Sequence, residues 1–355
     1  MKIKNIKIWS VDLGNKKPYT IAFKTIDVVK NCFVEITLEN GLTGIGAGNP
    51  SQYVTGESFQ SMENSLSQEN VSFLMNRDIR HLNLLLHEVV LYFPKNPAAQ
   101  AALDIALHDA FCRWLNIPLV QYFGQHIKSM PTSNTIGIKN VDETLHEAEE
   151  YGKMGFTILK VKLGKSLDED IERLVKLREK FGNRFIIRVD ANQGYSVEQT
   201  NQFFIQTAPL NIELVEQPLP AKSVDDMRTL PESMRKKIAA DESLLIPSSA
   251  LQLLTPSPAC GIFNIKLMKC GGLHQARQIA TIAEAANIEL FWGCNDESIV
   301  SITAALHLAF ACSHTQYIDL DGSLDLAHDI VRGGFILENG VMRCSDKAGL
   351  GVDRI

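Results

Sequence analysis

Thr157-Ile158-Leu159-Lys160-Val161-Lys162 is an apolar β-like run that closes on two lysines two residues apart. Moving outward from it, three further runs end on an acid: Ile187-Arg188-Val189-Asp190, Leu214-Val215-Glu216 and Ala239-Ala240-Asp241. A fourth, Asn264-Ile265-Lys266, ends on a lysine. Counted from Lys162, the intervals are 28, 26, 25 and 25 residues, about the length of one strand-helix unit of a (β/α) barrel. With flanking runs at 133–138, 288–292 and 316–319, and helix-like stretches such as 167–181 and 274–286 between them, eight strands are predicted. Strict alternation with right-handed crossovers favours a closed barrel, with a doubly wound open sheet as the alternative.

The 355 residues, 45% hydrophobic and 21% charged, make an ordinary globular chain with apolar material for two domains. A formal charge of −6 without any basic run argues against nucleic acid as partner and favours a small polar substrate. Charges at Lys2 and Lys4 fall where a secretion signal needs its apolar core, and no stretch is long and apolar enough to span a membrane, so a cytoplasmic protein is expected. The seven cysteines are dispersed and lack a CxxC pair, which suits reduced thiols. Self-association into a homo-oligomer is expected as well.

Residues 1–60 alternate like antiparallel strands, with Glu39-Asn40-Gly41 as a hairpin signal. An alanine-rich helix follows from Pro97 to about Leu115. The prediction is therefore an α/β protein: an α+β domain over 1–125, a TIM-type barrel over 126–325, and a tail, 326–355, that returns to the first domain. Gly44-Ile45-Gly46-Ala47-Gly48 lies in the hairpin region with no Lys-Ser/Thr downstream, so it is given no nucleotide role.

One acid past a strand ordinarily caps the next helix. Three in successive units, Asp190, Glu216 and Asp241, instead converge on one barrel mouth. An oxygen-only set without His or Cys selects Mg²⁺, with Mn²⁺ as the alternative ion. Lys160 and Lys162 share one face of their strand, and Lys266 has similar apolar surroundings. Lys266 is taken as catalytic and Lys269 as structural.

These motifs, Lys160-Val161-Lys162, Asp190-Ala191-Asn192, Glu216-Gln217-Pro218, Asp241-Glu242-Ser243 and Ile265-Lys266-Leu267, resemble the muconate-lactonizing subgroup of the enolase superfamily over essentially the whole chain. The resemblance implies a (β/α)7β barrel beneath a capping domain. The mandelate racemase subgroup uses a late-strand histidine, and no histidine lies between His274 and His307. A two-lysine mechanism is thus implied, in which Lys162 and Lys266 serve opposite faces of a carbon acid and Mg²⁺ and Lys160 stabilise the enediolate. Clustered positive charge and burial would bring one lysine toward its neutral form.

Asp319 and Asp321, two apart at the eighth strand's end, can both point inward or can cap a turn. The Asp-x-Asp pair resembles that of the dipeptide epimerases, which implies a substrate ammonium held there and a dipeptide substrate, L-Ala-D/L-Glu being the specific expectation. Lys24 falls near a cationic position of that group, and Thr135 and Cys294 near substrate-contacting ones; Cys294 reads equally as a packed thiol. Loops around 15–25 and 50–60 are expected to close over the mouth. Rival readings are an o-succinylbenzoate synthase or muconate cycloisomerase of the same subgroup, and a catalytically silent metal-binding barrel.

Overall fold

The computed structural model describes residues 1–16, 19–21, 24–26 and 28–355, with side chains for 1–16 and 28–355. Eight parallel strands form one sheet in strict sequential order: Asn134–Ile136, Ile158–Lys162, Ile186–Asp190, Ile212–Glu216, Ile238–Ala240, Ile262–Ile265, Glu289–Trp292 and Thr315–Ile318. They are called barrel strands one to eight below. Each of the first seven is followed by at least one helix, and the eighth leads back out of the barrel. The Ser133 N–H donates to the Ile318 carbonyl at 3.3 Å, which joins the end of strand eight to the start of strand one. The sheet is therefore a closed (β/α)7β ring, and the open doubly wound alternative is set aside.

Register explains how the charged ends share one level. Lys160 and Lys162 pair with Arg188 and Asp190 on strand three, and Glu216 pairs with Asp190 in turn. Parallel strands in step bring residues of equal register side by side, so the charged positions stack around one rim. Asp241, Lys266 and Asp319 stand one residue past their strands.

The capping domain packs an antiparallel sheet, Ile3–Asp12, Lys30–Leu38 and Thr43–Gly48, on the helix Pro97–Leu115. Gly44, Gly46 and Gly48 share one face of their strand and lie on the helix at Ala106 and Ala110, Ala102, and Ala98 respectively. A Cβ at any of the three would collide with helix backbone. Glycines every second residue thus match alanines every fourth, and the motif that resembles a phosphate loop is a backbone-on-backbone packing surface.

The tail forms strand pairs Val331–Gly333 with Val352–Arg354 and Phe335–Glu338 with Val341–Cys344. Asp109, fully buried in the long helix, accepts from Ile45 N–H at 2.9 Å and Leu350 N–H at 2.7 Å and pairs with Arg113 at 3.0 Å, so one carboxylate ties sheet, helix and tail together. All seven cysteines are free thiols. No helix among the described residues is long and apolar enough to cross a membrane.

Candidate active site

The predicted lysines and acids of barrel strands two to six, with Asp319, lie together at one end of the barrel. Buried Lys160 sets its Nζ 2.7 Å from Glu216 Oε2, 2.9 Å from Asp319 Oδ2 and 3.3 Å from Asp190 Oδ2. Lys162 Nζ lies 2.6 Å from the same Asp190 oxygen. From the other side, Lys266 Nζ reaches Asp241 Oδ2 at 2.8 Å and Glu216 Oε1 at 3.7 Å. Strands two and six stand half a ring apart, so the two lysines approach one acid cluster from opposite flanks. As they stand, no three acidic, histidine or cysteine side chains among the described residues are gathered as a metal grip. The ammonium groups sit between the acids instead.

Electrostatics follows from burial and crowding. Burial raises Glu216, and Asp190 and Asp241 beside it add to this despite the lysines, giving about 8. Burial acts on Asp190 too, but Lys162, Lys160 and Lys266 outweigh it and hold that carboxyl at about 2. Lys266 fills the ammonium half of the expected lysine pair. Burial alone would favour its neutral form, but Asp241, Glu216 and Asp190 prevail and hold it firmly as the ammonium.

At the eighth strand the paired aspartates diverge. Asp319 accepts from Ser133 Oγ at 2.6 Å and pairs with Lys160, which overcomes burial and lowers its carboxyl. Asp321 takes the Thr135 N–H at 2.8 Å and the Cys294 thiol at 3.8 Å; burial and the Asp319 charge push it up to about 7. Both face inward, so the turn-capping alternative does not describe them. Thr135 meets this corner through its backbone. Cys294 Sγ also touches the Asp319 carbonyl and the Gly322 N–H, each at 3.3 Å, and its thiol is raised by burial, which makes it a packed, protonated group. Lys24 stands on the short strand Lys24–Ile26, and its side chain lies outside the described residues.

Several site residues went unassigned in the sequence. Asn264 Nδ2 donates to Glu216 Oε1 at 2.9 Å, and its place two residues before Lys266, on the same strand face, is a signal that could have revealed it. Lys269, read as structural, contacts Asp241 Oδ1 and lies 3.1 Å from the Asn264 carbonyl, within the acid cluster. Gln217 adopts φ +32°, and its Oε1 accepts from Asp241 N–H at 2.9 Å and Ser243 Oγ at 2.9 Å. The left-handed turn after Glu216 thereby aims Asp241.

The chain is similar to known proteins over nearly its whole length. Residues 4–124 match the family "Mandelate racemase / muconate lactonizing enzyme, N-terminal domain", and residues 143–354 match "Enolase C-terminal domain-like". The L-Lys-D/L-Arg epimerase of Desulforapulum autotrophicum is 53% identical over all of both chains. The crystal structure of the Methylococcus capsulatus dipeptide epimerase, complexed with Mg and L-Arg-D-Lys, is 50% identical, with a TM-score of 0.98 over 99% of each chain. The substrate-liganded L-Ala-D/L-Glu epimerase of Bacillus subtilis is 30% identical, with a TM-score of 0.94 over 99% of each chain. With both family models matched and the lysine and acid positions in register around one barrel mouth, this chain belongs to the enolase superfamily, in its mandelate racemase and muconate-lactonizing branch.

Proposed function

We propose that the protein is a Mg²⁺-dependent dipeptide epimerase that inverts the α-carbon of the C-terminal residue and acts on dipeptides with cationic side chains. The observation that carries the reading is the placement of Lys162 and Lys266 half a ring apart, both in contact with one acid cluster. Asp190, Glu216 and Asp241 offer only oxygen donors, from neighbouring strands, and this donor set fits Mg²⁺. Those three carboxylates would hold Mg²⁺, which would supply positive charge at the substrate carboxylate.

The rest is done by the chain itself. A lysine in its amine form takes the α-proton on one face while the opposite lysine, as ammonium, returns a proton to the other face, and the roles exchange with direction. Lys160, buried and cationic, favours the doubly negative enediolate over the ground state. Asp321 and Asp319 receive the substrate's α-ammonium, which a lyase or cycloisomerase would not need.

Cationic side chains suit the charge of this rim. Asp321 feels Asp319 and Asp325, and buried Glu297, held at about 7 chiefly by burial, feels Asp296. A glutamate side chain would enter an acidic neighbourhood, whereas lysine or arginine would be attracted. The printed names of the relative from Desulforapulum autotrophicum and the structure from Methylococcus capsulatus support the same class. The narrower L-Ala-D/L-Glu reading rests on Lys24.

A panel of L,L-dipeptides incubated with the Mg²⁺-loaded enzyme in D₂O tests this by mass shift and chiral analysis. The expected result is a kcat/KM for Lys- and Arg-containing dipeptides more than about 10-fold above that for L-Ala-L-Glu, a gap of about 1.4 kcal/mol. The opposite order would restore the L-Ala-D/L-Glu reading, and no epimerisation of any dipeptide would favour the silent barrel.

A further inference from the structure

We infer that Asp170, on the helix that follows barrel strand two, is a positioning residue for Lys162, acting through the backbone that follows it. The inference rests on the proposed assignment of Lys162 as one of two opposed bases.

Asp170 lies in the first turn of the helix Leu167–Phe181 and is 1% exposed. Its Oδ2 accepts from the Gly164 N–H at 2.8 Å and from the Tyr195 hydroxyl at 2.7 Å, and its Oδ1 pairs with Arg173. Gly164 comes two residues after Lys162. Between them, the Leu163 N–H donates to the Asp190 carbonyl at 2.7 Å. The backbone carrying Lys162 out of the barrel is therefore pinned at two successive N–H groups, one by strand three and one by Asp170. Gly164 has φ +100°, and a Cβ there would fall on the Ala191 carbonyl, so the turn has little freedom to adopt another path.

The cluster is not an optimum for stability. Arg173 Nη1 is buried with no hydrogen-bond partner among the described residues, and a buried ion pair gives little net stabilisation against apolar packing. Its partners describe its effect better: the backbone amide two residues past Lys162 and, through Tyr195, the loop after Asp190. On strand six, Lys266 is followed by the short helix Leu267–Cys270 and has no link to this cluster among the described contacts. Support of this kind is asymmetric, serving one lysine of the pair.

The asymmetry gives the test. In D₂O each epimer of a substrate dipeptide exchanges its α-proton through one lysine, and Lys162→Ala and Lys266→Ala, each retaining exchange of a single epimer, establish which. Asp170→Ala is expected to slow exchange of the Lys162-dependent epimer by about 10-fold or more, as misplacement of a reacting group does. Exchange of the Lys266-dependent epimer should stay within about 2-fold, with Asp170→Asn, which keeps an acceptor for Gly164, recovering part of the loss. Should Asp170→Ala fail to fold, Tyr195→Phe, which removes one hydrogen-bond donor to Asp170, is expected to show the same one-sided loss at smaller size. Equal losses for both epimers, or none, would overturn the inference. If the two lysine variants show no complementary exchange, the two-base reading itself fails, a result distinct from failure of Asp170 alone.

Discussion

Asp321 shows at the residue scale how the site is tuned. It shares its corner with Asp319, but Asp319 pairs with Lys160 and stays ionised, while Asp321 has neutral donors, the Thr135 N–H and the Cys294 thiol. Burial, with the Asp319 charge, raises its carboxyl to about 7. Only the ionised form attracts an ammonium, so substrate capture should weaken as pH falls below about 7. A kcat/KM profile on a cationic dipeptide is expected to rise through this pH with an acid limb. Asp321→Asn is expected to remove the limb and lower kcat/KM by 10²-fold or more, on the order of the 2–5 kcal/mol that truncating one partner of a buried charge pair costs. An unchanged limb in the variant would assign it to another group. The acid pair was legible in the sequence as two aspartates one strand period apart. Their unequal charge was not, because it depends on a lysine 159 residues away along the chain.

At the element scale, the strand Thr43–Gly48 and the helix Pro97–Leu115 approach each other backbone to backbone. Gly46 faces Ala102, and even one methyl there would meet backbone that cannot rotate away. Gly46→Ala is expected to destabilise by about 1–3 kcal/mol or more, the usual range for overpacking, seen as a lowered Tm. A Tm within one degree or so of wild type would mean that the two elements separate more easily than this packing implies. Strand and helix periods made both elements readable, and the barrel helices predicted at 167–181 and 274–286 formed at Leu167–Phe181 and Leu273–Ala285. The fit of glycine stripe to alanine stripe required the two elements to be docked. The same limit hid Gln217, whose role arises only when a left-handed turn swings its amide to the next strand.

The whole molecule depends on contacts that close long loops. His307, fully buried in the helix Ile299–Ala309, accepts the Val120 N–H through Nδ1 at 2.9 Å, joining barrel to capping domain. Burial holds this imidazole neutral down to about 4 from its ordinary 6.5. Between those values the unfolded chain binds the extra proton and the folded one does not, so stability should be complete above about 6.5 and fall as pH drops toward 4. Denaturant titrations across this window are expected to show a shallower slope for His307→Gln than for wild type; identical slopes would place the acid lability elsewhere. Such links, like that of Asp109 to Leu350, span 187 and 241 residues and carry no local pattern. The barrel, in contrast, was readable because each strand-helix unit repeats the same local rule, and with it the five charged ends that define the site.

The central claim is that two lysines on opposite sides of one acid cluster share a single substrate carbon. Exchange of the α-proton in D₂O, followed separately for the two epimers of a cationic dipeptide with Mg²⁺ present, tests it most directly. The wild type is expected to place deuterium in both epimers and interconvert them. Lys162→Ala and Lys266→Ala should each abolish interconversion yet retain exchange of one epimer, a different one in each variant. Loss of exchange from the same epimer in both variants, or unimpaired interconversion in either, would contradict the account.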